Sequence, residues 1–325
     1  MCTRILWHTN ALGVFVARTM DWPTTTEPKL IIFPRGLQRQ GNHLGTAALE
    51  MANPARWQSR YGSAVVSMYG LGTVDGFNEQ GLAVHLLYLT ATDFGTRHPQ
   101  KQGVHAGLWG QYLLDNAATV QEALDLMAQI QPVMITVQGF ASTVHVAIAD
   151  ASGDSAILEY LNGELVIHHG RQYQIMTNDP PYDEQLAYRA QFDFTNATRQ
   201  TPLPGNVDPS HRFVRADYFL QVLPEPRNQR EAIASVLAIA RNVSVPFGAP
   251  NKVPGSLYNT EYRTVMDLTH RYYVFELTTA PNILWFPLEK FELHPEAPVM
   301  MLDPNHPELV GDVAAQFAPV VAAPY

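Results

Sequence analysis

The sequence MCTRILWHTNALGVFVARTMDW occupies residues 1–22 and predicts two antiparallel strands joined by a turn. Residues 3–7 and 14–18 are short runs rich in β-branched, aromatic and other apolar side chains, and residues 10–13 between them contain turn-forming Asn and Gly. The second strand of such a hairpin runs back toward the start of the first. The polar residues that follow it are therefore expected to lie beside Cys2.

Cys2 is the only cysteine of the 325-residue chain. Removal of Met1 would place its thiol, with an ordinary pKa of about 8.5, beside a free α-amino group with a pKa of about 7.7–8.0. Such an amine is partly neutral near pH 7 and can accept the thiol proton, as in enzymes with an N-terminal nucleophile. The alternative interpretation is an incidental cysteine in a frayed chain terminus.

Two charged residues close to the end of the hairpin suit a reactive cysteine. We expect Asp21 to accept a hydrogen bond from the α-amino group of Cys2, and Arg18 to stabilise the negative charge of its thiolate. The same two residues would also fit a solvated salt bridge at a strand end. Their position one hairpin turn from the cysteine favours the functional interpretation.

The chain continues as alternating blocks of predicted strands and helices. Residues 1–90 are typical of an antiparallel meander, because short strands follow one another across tight turns. Helices are predicted over 105–116 and over 119–130, the second opened by a capping box of Thr119 and Glu122. A second strand block begins near residue 143.

The second half of the chain repeats this alternation. Asn162-Gly163 predicts a tight hairpin turn, helices are expected over 184–190, 212–223 and 228–241, and the last strands fall between 262 and 286. This order predicts an α+β protein with two stacked antiparallel sheets and helices on both outer faces, a four-layer αββα sandwich. With no linker or compositional break, we expect a single domain over 2–325 once Met1 is removed.

Composition excludes several classes of function. The net charge is −9 and the Lys and Arg residues are scattered, which argues against nucleic acid as a partner. The lone cysteine and the dispersed histidines argue against a metal site, and nucleotide-binding glycine motifs are missing, so we expect no metal and no cofactor. No apolar run is long enough for a membrane span and no secretory signal is visible, so a cytoplasmic location is expected, with a trimmed export signal left open.

Six segments in the same order along the chain carry a family resemblance. They are MCTR at the start, ARTMDW at 17–22, DGFNEQGLAVHLLYL at 75–89, TND at 177–179, LPG with SHRFVRADYFL within 203–220, and TEYRTVMDLTHRYYVF at 260–275. Together they resemble the choloylglycine hydrolase family, which contains conjugated bile-salt hydrolases and penicillin V acylases. The resemblance implies the N-terminal-nucleophile hydrolase fold and attack by Cys2 on an amide carbonyl.

The resemblance also implies roles for individual residues. Arg18 and Asp21 become partners of the nucleophile, in agreement with the hairpin argument. Asn178 and the backbone N–H of Tyr88 become the donors of an oxyanion hole, and Arg212 a second arginine of the catalytic site. Without the family, Asn178 would be interpreted as a turn residue, Tyr88 as strand core and Arg212 as a solvated residue at a helix start.

Substrate and assembly are expectations from the same resemblance. Trp22 after Asp21, and the aromatic Tyr88, resemble the branch that hydrolyses penicillin V and long-chain N-acyl homoserine lactones, and both side chains are expected to bind the acyl group. The alternatives are a bile-salt hydrolase and, from another class, a non-catalytic small-molecule binding protein. The substrate is expected to be a small N-acyl amide and the protein a homo-oligomer, a tetramer or a dimer, although the segment between Asn178 and Arg212 is shorter than in many bile-salt hydrolases.

Overall fold

The computed structural model describes residues 2–45, 47–251, 256–321 and 325. The predicted removal of Met1 concerns a residue outside these ranges. Two large sheets contain, in chain order, β1 Cys2–Trp7, β2 Phe15–Trp22, β3 Lys29–Phe33, β4 Ser63–Ser67, β5 Thr73–Asn78, β6 Ala83–Tyr88, β7 Val144–Ala149, β8 Ser155–Leu161, β9 Glu164–His169, β10 Ile175–Met176, β11 Ala249–Pro250, β12 Leu257–Asp267, β13 Tyr272–Leu277, β14 Ala280–Pro287, β15 Met300–Leu302, β16 Gly311–Asp312 and β17 Ala318–Pro319.

The helices and the smaller elements connect and cover these sheets. The helices are α1 Ala106–Asn116, α2 Val120–Leu126, α3 Tyr182–Arg189, α4 Pro209–Gln221 and α5 Gln229–Asn242, with 3₁₀ turns at Leu288–Lys290 and Ala314–Gln316. The two-stranded ribbons are Gln38–Gln40 with Arg56–Gln58, His43–Leu44 with Ala47–Ala48, Gln102–His105 with Ile130–Val133, and Thr136–Val137 with Phe140–Ala141. None of the helices in the described ranges is long and apolar enough to cross a membrane.

The first sheet has the order β10-β1-β2-β12-β13-β14-β16, with β11 paired to β12, and the second has the order β9-β8-β7-β6-β5-β4-β3-β15-β17. Every pairing in them is antiparallel except the parallel pair of β14 and β16. Helices α4 and α5 pack on the first sheet, and α1 packs on the second. The layers are therefore helix, sheet, sheet, helix, which confirms the predicted αββα sandwich; its extent as a single domain over 2–325 stays a prediction.

The N-terminal hairpin lies inside the first sheet, between β10 and β12, and is covered on both faces. Cys2 pairs with Met20 and Arg4 pairs with Arg18, so these four side chains share one face. That face meets the second sheet, because Arg18 hydrogen-bonds carbonyl groups of β5 and β6. The opposite face meets helix α4. Burial on both faces explains why β2 is buried from Phe15 to Asp21, with no polar-apolar alternation.

Two local expectations from the sequence are confirmed. Thr119 Oγ1 accepts a hydrogen bond from Glu122 N at 3.2 Å, and the Glu122 side chain accepts one from Ala118 N at 2.8 Å, as a capping arrangement requires. Asn162 and Gly163 both have positive φ, 52° and 82°, in the turn between β8 and β9.

Two other expectations are wrong in detail. The first ninety residues are not one meander, because β1 and β2 lie in the first sheet whereas β3 to β6 lie in the second. The helix predicted over 119–130 ends at Leu126, because Ile130–Val133 pairs in parallel with Gln102–His105. In both places a tertiary contact overrides a pattern that is locally sound.

Candidate active site

The Cys2 thiol lies between the two sheets, on the face of the hairpin that points to the second sheet. Cys2 is only 2% exposed, and its Sγ lies 3.5 Å from Arg18 Nη2 and 3.7 Å from Met20 Sδ. Arg18 Nη2 also lies 3.6 Å from Met20 Sδ. One guanidinium nitrogen therefore faces two sulfur atoms, which are weak acceptors when neutral. A thiolate at this position would be a much better partner for it.

Arg18 is fully buried and is held by both sheets. Its Nη1 donates to Val74 O at 2.7 Å and its Nη2 donates to Leu86 O at 3.0 Å. Burial by itself lowers the pKa of Arg18, but the neighbouring Cys2 thiol and Asp75 carboxylate raise that pKa above its ordinary value. Arg18 therefore keeps its positive charge beside the thiol.

The other face of the hairpin holds a second buried arginine, Arg212 of α4. Its Nη1 donates to the Cys2 carbonyl oxygen at 2.7 Å and to Thr3 Oγ1 at 2.5 Å, and its Nη2 donates to Asn178 Oδ1 at 3.0 Å. Its Nη1 also pairs with Asp21 Oδ2 at 3.3 Å, with both side chains fully buried. Arg212 therefore fixes the backbone of Cys2.

Asp21 lies on this second face because it directly follows Met20, which shares the face of Cys2. The pairing of β2 with β12 shifts register between Met20 and Asp21, and Thr260 Oγ1 donates to Asp21 Oδ1 at 2.5 Å. Thr19 Oγ1 donates to Asp21 Oδ2 at 3.3 Å. The expected bond from the α-amino group to Asp21 stays a prediction.

The Cys2 nitrogen donates to Asn178 Oδ1, a contact that the sequence did not suggest. In the full chain this nitrogen is a peptide amide, and after loss of Met1 it would be the α-amino group. Asn178 is fully buried, and its Nδ2 donates to Tyr88 O at 2.7 Å. Gln185 Nε2 holds the Asn178 carbonyl oxygen at 2.5 Å from helix α3. Asn178 therefore links the first residue of β1 to the end of β6.

The backbone of Tyr88 points toward this site. Leu89 N donates to Thr143 O, so alternation in an antiparallel pair turns the N–H and C=O of Tyr88 away from β7. Leu86 is in the same phase of the strand, and its carbonyl oxygen accepts from Arg18. The Tyr88 N–H is thus directed to the side of β6 on which Arg18 and Asn178 lie.

An apolar pocket opens from the Cys2 thiol. Trp22 forms one wall, with ring centroids 5.8 Å from Tyr88 and 5.0 Å from Phe140. Gly72 allows a close approach here, because a Cβ at this position would lie 2.3 Å from the Gly107 carbonyl oxygen. The remaining walls come mainly from Leu44, Met68, Leu71, Val74, Leu86, Ile135, Val137 and Val144.

All of the residues selected from the sequence meet at this place. Cys2, Arg18, Trp22 and Tyr88 line the pocket, and Asp21, Asn178 and Arg212 form the network behind Cys2. Met20 and Thr260 also belong to the site, and neither was expected there from the sequence. Both lie in segments that carry the family resemblance, and this was the only signal for them, because a methionine or a threonine is ordinary in a strand. Within the described residues, no group of three or more His, Cys, Asp or Glu side chains could hold a metal ion.

The αββα fold, with a buried thiol at the first residue of its first strand, defines a protein of the N-terminal-nucleophile hydrolase class. The model of the choloylglycine hydrolase family, described as linear amide C–N hydrolases, matches residues 2–309. The chain belongs to this family, and it is a hydrolase that acts on amide bonds.

Similar proteins are known from several bacteria. The chain is 35% identical to a penicillin V acylase of Pectobacterium atrosepticum, over 98% of this chain and 90% of the relative. The structure of the penicillin V acylase from Agrobacterium tumefaciens matches with a TM-score of 0.86 and 38% identity, covering 98% of both chains. A variant of the conjugated bile acid hydrolase from Clostridium perfringens matches with a TM-score of 0.78 and 19% identity, over 94% of this chain and 97% of the other, which is a likeness of fold alone.

Proposed function

We propose that this protein, after loss of Met1, is a cysteine N-terminal-nucleophile amidase that hydrolyses the side-chain amide of penicillin V, of N-acyl homoserine lactones, or of both. The observation that carries the proposal is the placement of the Cys2 thiol at the base of an apolar pocket, 3.5 Å from the Arg18 guanidinium. The similarity to two penicillin V acylases supports the choice of substrate.

In this mechanism the Cys2 thiolate attacks the amide carbonyl carbon of the substrate. The α-amino group takes the thiol proton and later gives it to the leaving amine, so that a thioester with the acyl group remains on Cys2. Water then attacks the thioester, with the same amine as the base, and releases the acid. The bond from the Cys2 nitrogen to Asn178 supports this role, because it holds that nitrogen at a fixed position beside the thiol.

Negative charge develops on the carbonyl oxygen during both attacks. We assign its stabilisation to Asn178 Nδ2 and to the Tyr88 N–H. Asn178 Nδ2 has two hydrogens, and the bond to Tyr88 O uses one of them. The second hydrogen and the Tyr88 N–H are left as donors for the oxyanion.

The pocket supports an aryl or alkyl acyl group. Its walls are apolar apart from a few side chains, as is usual for sites that bind small molecules. Trp22 and Tyr88 pack edge to face, and Trp22 Nε1 donates to Tyr69 OH at 3.2 Å. These contacts fix an aromatic wall against which a phenoxyacetyl or fatty acyl group can pack.

The test compares substrates on purified protein whose loss of Met1 has been verified by intact-mass measurement. We expect kcat/KM for penicillin V or for a long-chain N-acyl homoserine lactone to exceed kcat/KM for glycocholate. Faster release of glycine from glycocholate would overturn the choice of substrate in favour of a bile-salt hydrolase.

The nucleophile is tested separately by acid quenching during turnover. A mass increase equal to one acyl group is expected on the N-terminal peptide containing Cys2. Turnover with the acyl group on another peptide would overturn the assignment to Cys2. Full activity of protein that retains Met1 would overturn the role of the α-amino group.

We also propose a homo-oligomer, a tetramer or a dimer, because the family resemblance implies one. Light scattering on a sizing column measures the mass directly. A monomer at micromolar concentration would contradict this proposal and leave the chemistry unaffected.

A further inference from the structure

Asp75 is a buried carboxylate behind Arg18 that the chemistry above does not use. It is fully buried, and its Oδ1 lies 3.9 Å from Arg18 Nη1. This nitrogen is distinct from Arg18 Nη2, which faces the Cys2 thiol. The Arg18 guanidinium therefore lies between a fixed carboxylate on one side and the reactive sulfur on the other.

The surrounding strands hold Asp75 with three hydrogen bonds. His85 Nδ1 lies 2.5 Å from Asp75 Oδ1, while Thr264 Oγ1 and Tyr273 OH donate to Asp75 Oδ2 at 2.6 and 3.1 Å. These three partners come from β6, β12 and β13. Burial of a carboxylate is costly, so a carboxylate held by groups from both sheets needs a reason beyond packing.

The ionisation states follow from these contacts. Burial raises the pKa of Asp75, but the hydrogen bond from His85, the charge of Arg18 and the hydrogen bond from Thr264 outweigh burial and bring that pKa below its ordinary value. Burial lowers the pKa of His85 by more than Asp75 raises it, so the imidazole is neutral near pH 7. Its proton lies on Nδ1, which faces the carboxylate, and its Nε2 has no hydrogen-bond partner among the described residues. Asp75 is therefore the negative charge of this pair.

We propose that Asp75 is a positioning residue that partly neutralises Arg18 and so sets the ionisation of the Cys2 thiol close to the working pH. Without Asp75, the full charge of Arg18 would act on the sulfur and favour a thiolate of low basicity. A thiolate loses nucleophilicity as its pKa falls, with a Brønsted slope of about 0.4–0.5, so the best nucleophile has a pKa near the ambient pH. The inference rests on the proposed role of Cys2 as nucleophile.

The other titratable and charged groups near Arg18 and Asp75 keep the same charge in all of the variants compared below. Tyr262 on β12 also faces Arg18, but burial raises its pKa well above the ordinary value, so it is neutral. Arg4 on β1 acts on His85 and lowers its pKa further. The α-amino group of mature Cys2 titrates next to the thiol and is present in every variant compared below.

The experiment is a pH titration of the thiolate by ultraviolet absorbance in the mature full-length protein. Because Cys2 is the only cysteine, subtracting the same titration of a matched protein with Cys2→Ala isolates its signal. Asp75→Asn keeps the shape of the side chain, and its amide can accept from His85 and donate to the Thr264 hydroxyl. In Asp75→Asn we expect the midpoint of the Cys2 thiolate titration to lie about 0.5–1 pH unit below that of the wild type.

The matched control is Asp115→Asn. Asp115 is also a fully buried carboxylate paired with an arginine, Arg39 at 2.9 Å, and it accepts from Trp57 Nε1 at 2.7 Å. None of the contacts of Arg18 and Cys2 described above involves Asp115, Arg39 or Trp57, so the thiolate midpoint of Asp115→Asn should equal that of the wild type. An unchanged or raised midpoint in folded Asp75→Asn would overturn the proposal, as would an equal fall in Asp115→Asn.

If Asp75→Asn does not fold, Thr264→Val tests whether Asp75 acts on the Cys2 thiol through Arg18. It removes a donor that screens Asp75, so the carboxylate acts more strongly on Arg18 and the thiol midpoint should rise by a few tenths of a unit. A midpoint that stays constant or falls would contradict the proposal. The titration reports on the thiol without substrate, so failure of the proposed function would show as absent turnover with these shifts intact.

Discussion

The two faces of the N-terminal hairpin each bring a fully buried arginine to Cys2, but the two arginines are bound differently. On the helix-facing side, every nitrogen of Arg212 has an oxygen acceptor, including Val207 O and Cys2 O. On the pocket side, Arg18 Nε has no hydrogen-bond partner among the described residues, and Nη2 faces the sulfur of Cys2.

The difference in hydrogen bonding suits the two arginines to different roles. Oxygen atoms bind all three nitrogens of Arg212, and its charge is paired with Asp21, so Arg212 is suited to fixing the backbone. Arg18 has part of its hydrogen-bonding capacity directed at an atom that gains negative charge when it ionises. We infer that the pocket-side face acts on the charge of the thiol and the helix-facing side acts on its position.

The largest effect is expected from loss of the thiol itself. Cys2→Ala should reduce kcat for the best substrate by about 10⁴–10⁶-fold, because the pocket and both arginines remain but the nucleophile is gone. Its thermal unfolding should stay close to that of the wild type. Activity within tenfold of wild type would show that Cys2 is not the nucleophile, and the proposed action of the pocket-side face on its thiol would then have no role in catalysis.

Loss of Asn178 should have the next largest effect, because this residue connects both faces. Asn178→Ala removes one proposed oxyanion donor, which typically costs about 10²–10³-fold in kcat. It also removes the acceptor for the Cys2 nitrogen and for Arg212 Nη2. Steady-state kinetics with the far-ultraviolet spectrum as a control for folding measures this. A fully active, folded variant would contradict the assignment.

Replacing each arginine by methionine separates the two faces directly. Arg18→Met should raise the midpoint of the Cys2 thiolate titration by about 1–2 units, because a cation beside the sulfur is lost. Arg212→Met should leave that midpoint nearly constant and lower the free energy of unfolding by about 3–5 kcal/mol, because Asp21 loses its buried partner. Equal shifts of the midpoint in the two variants would show that the faces are not distinct.

The smallest effects are expected from two threonines on the same strand. Thr260→Val and Thr264→Val each remove one hydroxyl donor to a buried carboxylate, Asp21 or Asp75, and each should cost about 1–2 kcal/mol in unfolding free energy. Only Thr264→Val should also move the thiolate midpoint. Denaturant unfolding and the thiolate titration on both variants test this contrast, and a moved midpoint in Thr260→Val would count against it.

Much of the site could be predicted because its parts lie on short-range structure. Cys2, Arg18 and Asp21 belong to one hairpin, and a hairpin's pairing follows from its turn and strand pattern. Asn178 and Arg212 were selected through the family resemblance, since neither carries a local signal of its own. Their contacts with Cys2 span 176 and 210 residues of sequence.

Other features depended on long-range packing. Alternation along β2 places Arg18 and Asp21 on opposite faces, but what each face meets, a second sheet on one side and a helix on the other, depends on long-range packing. Helix α2 stops at Leu126 because the next segment joins a ribbon with Gln102–His105. Local propensity carries no information about either partner.

The sequence by itself determined the class of fold, the pairing of the first two strands and the choice of Cys2 as the candidate nucleophile, because these rest on periodicity, turn residues and one unique cysteine. Only the tertiary structure decided which charges surround the thiol. Asp75 and Arg18 are 57 positions apart and meet because the two sheets stack, and the energy of a charge pair depends on distance and burial, which no local pattern encodes.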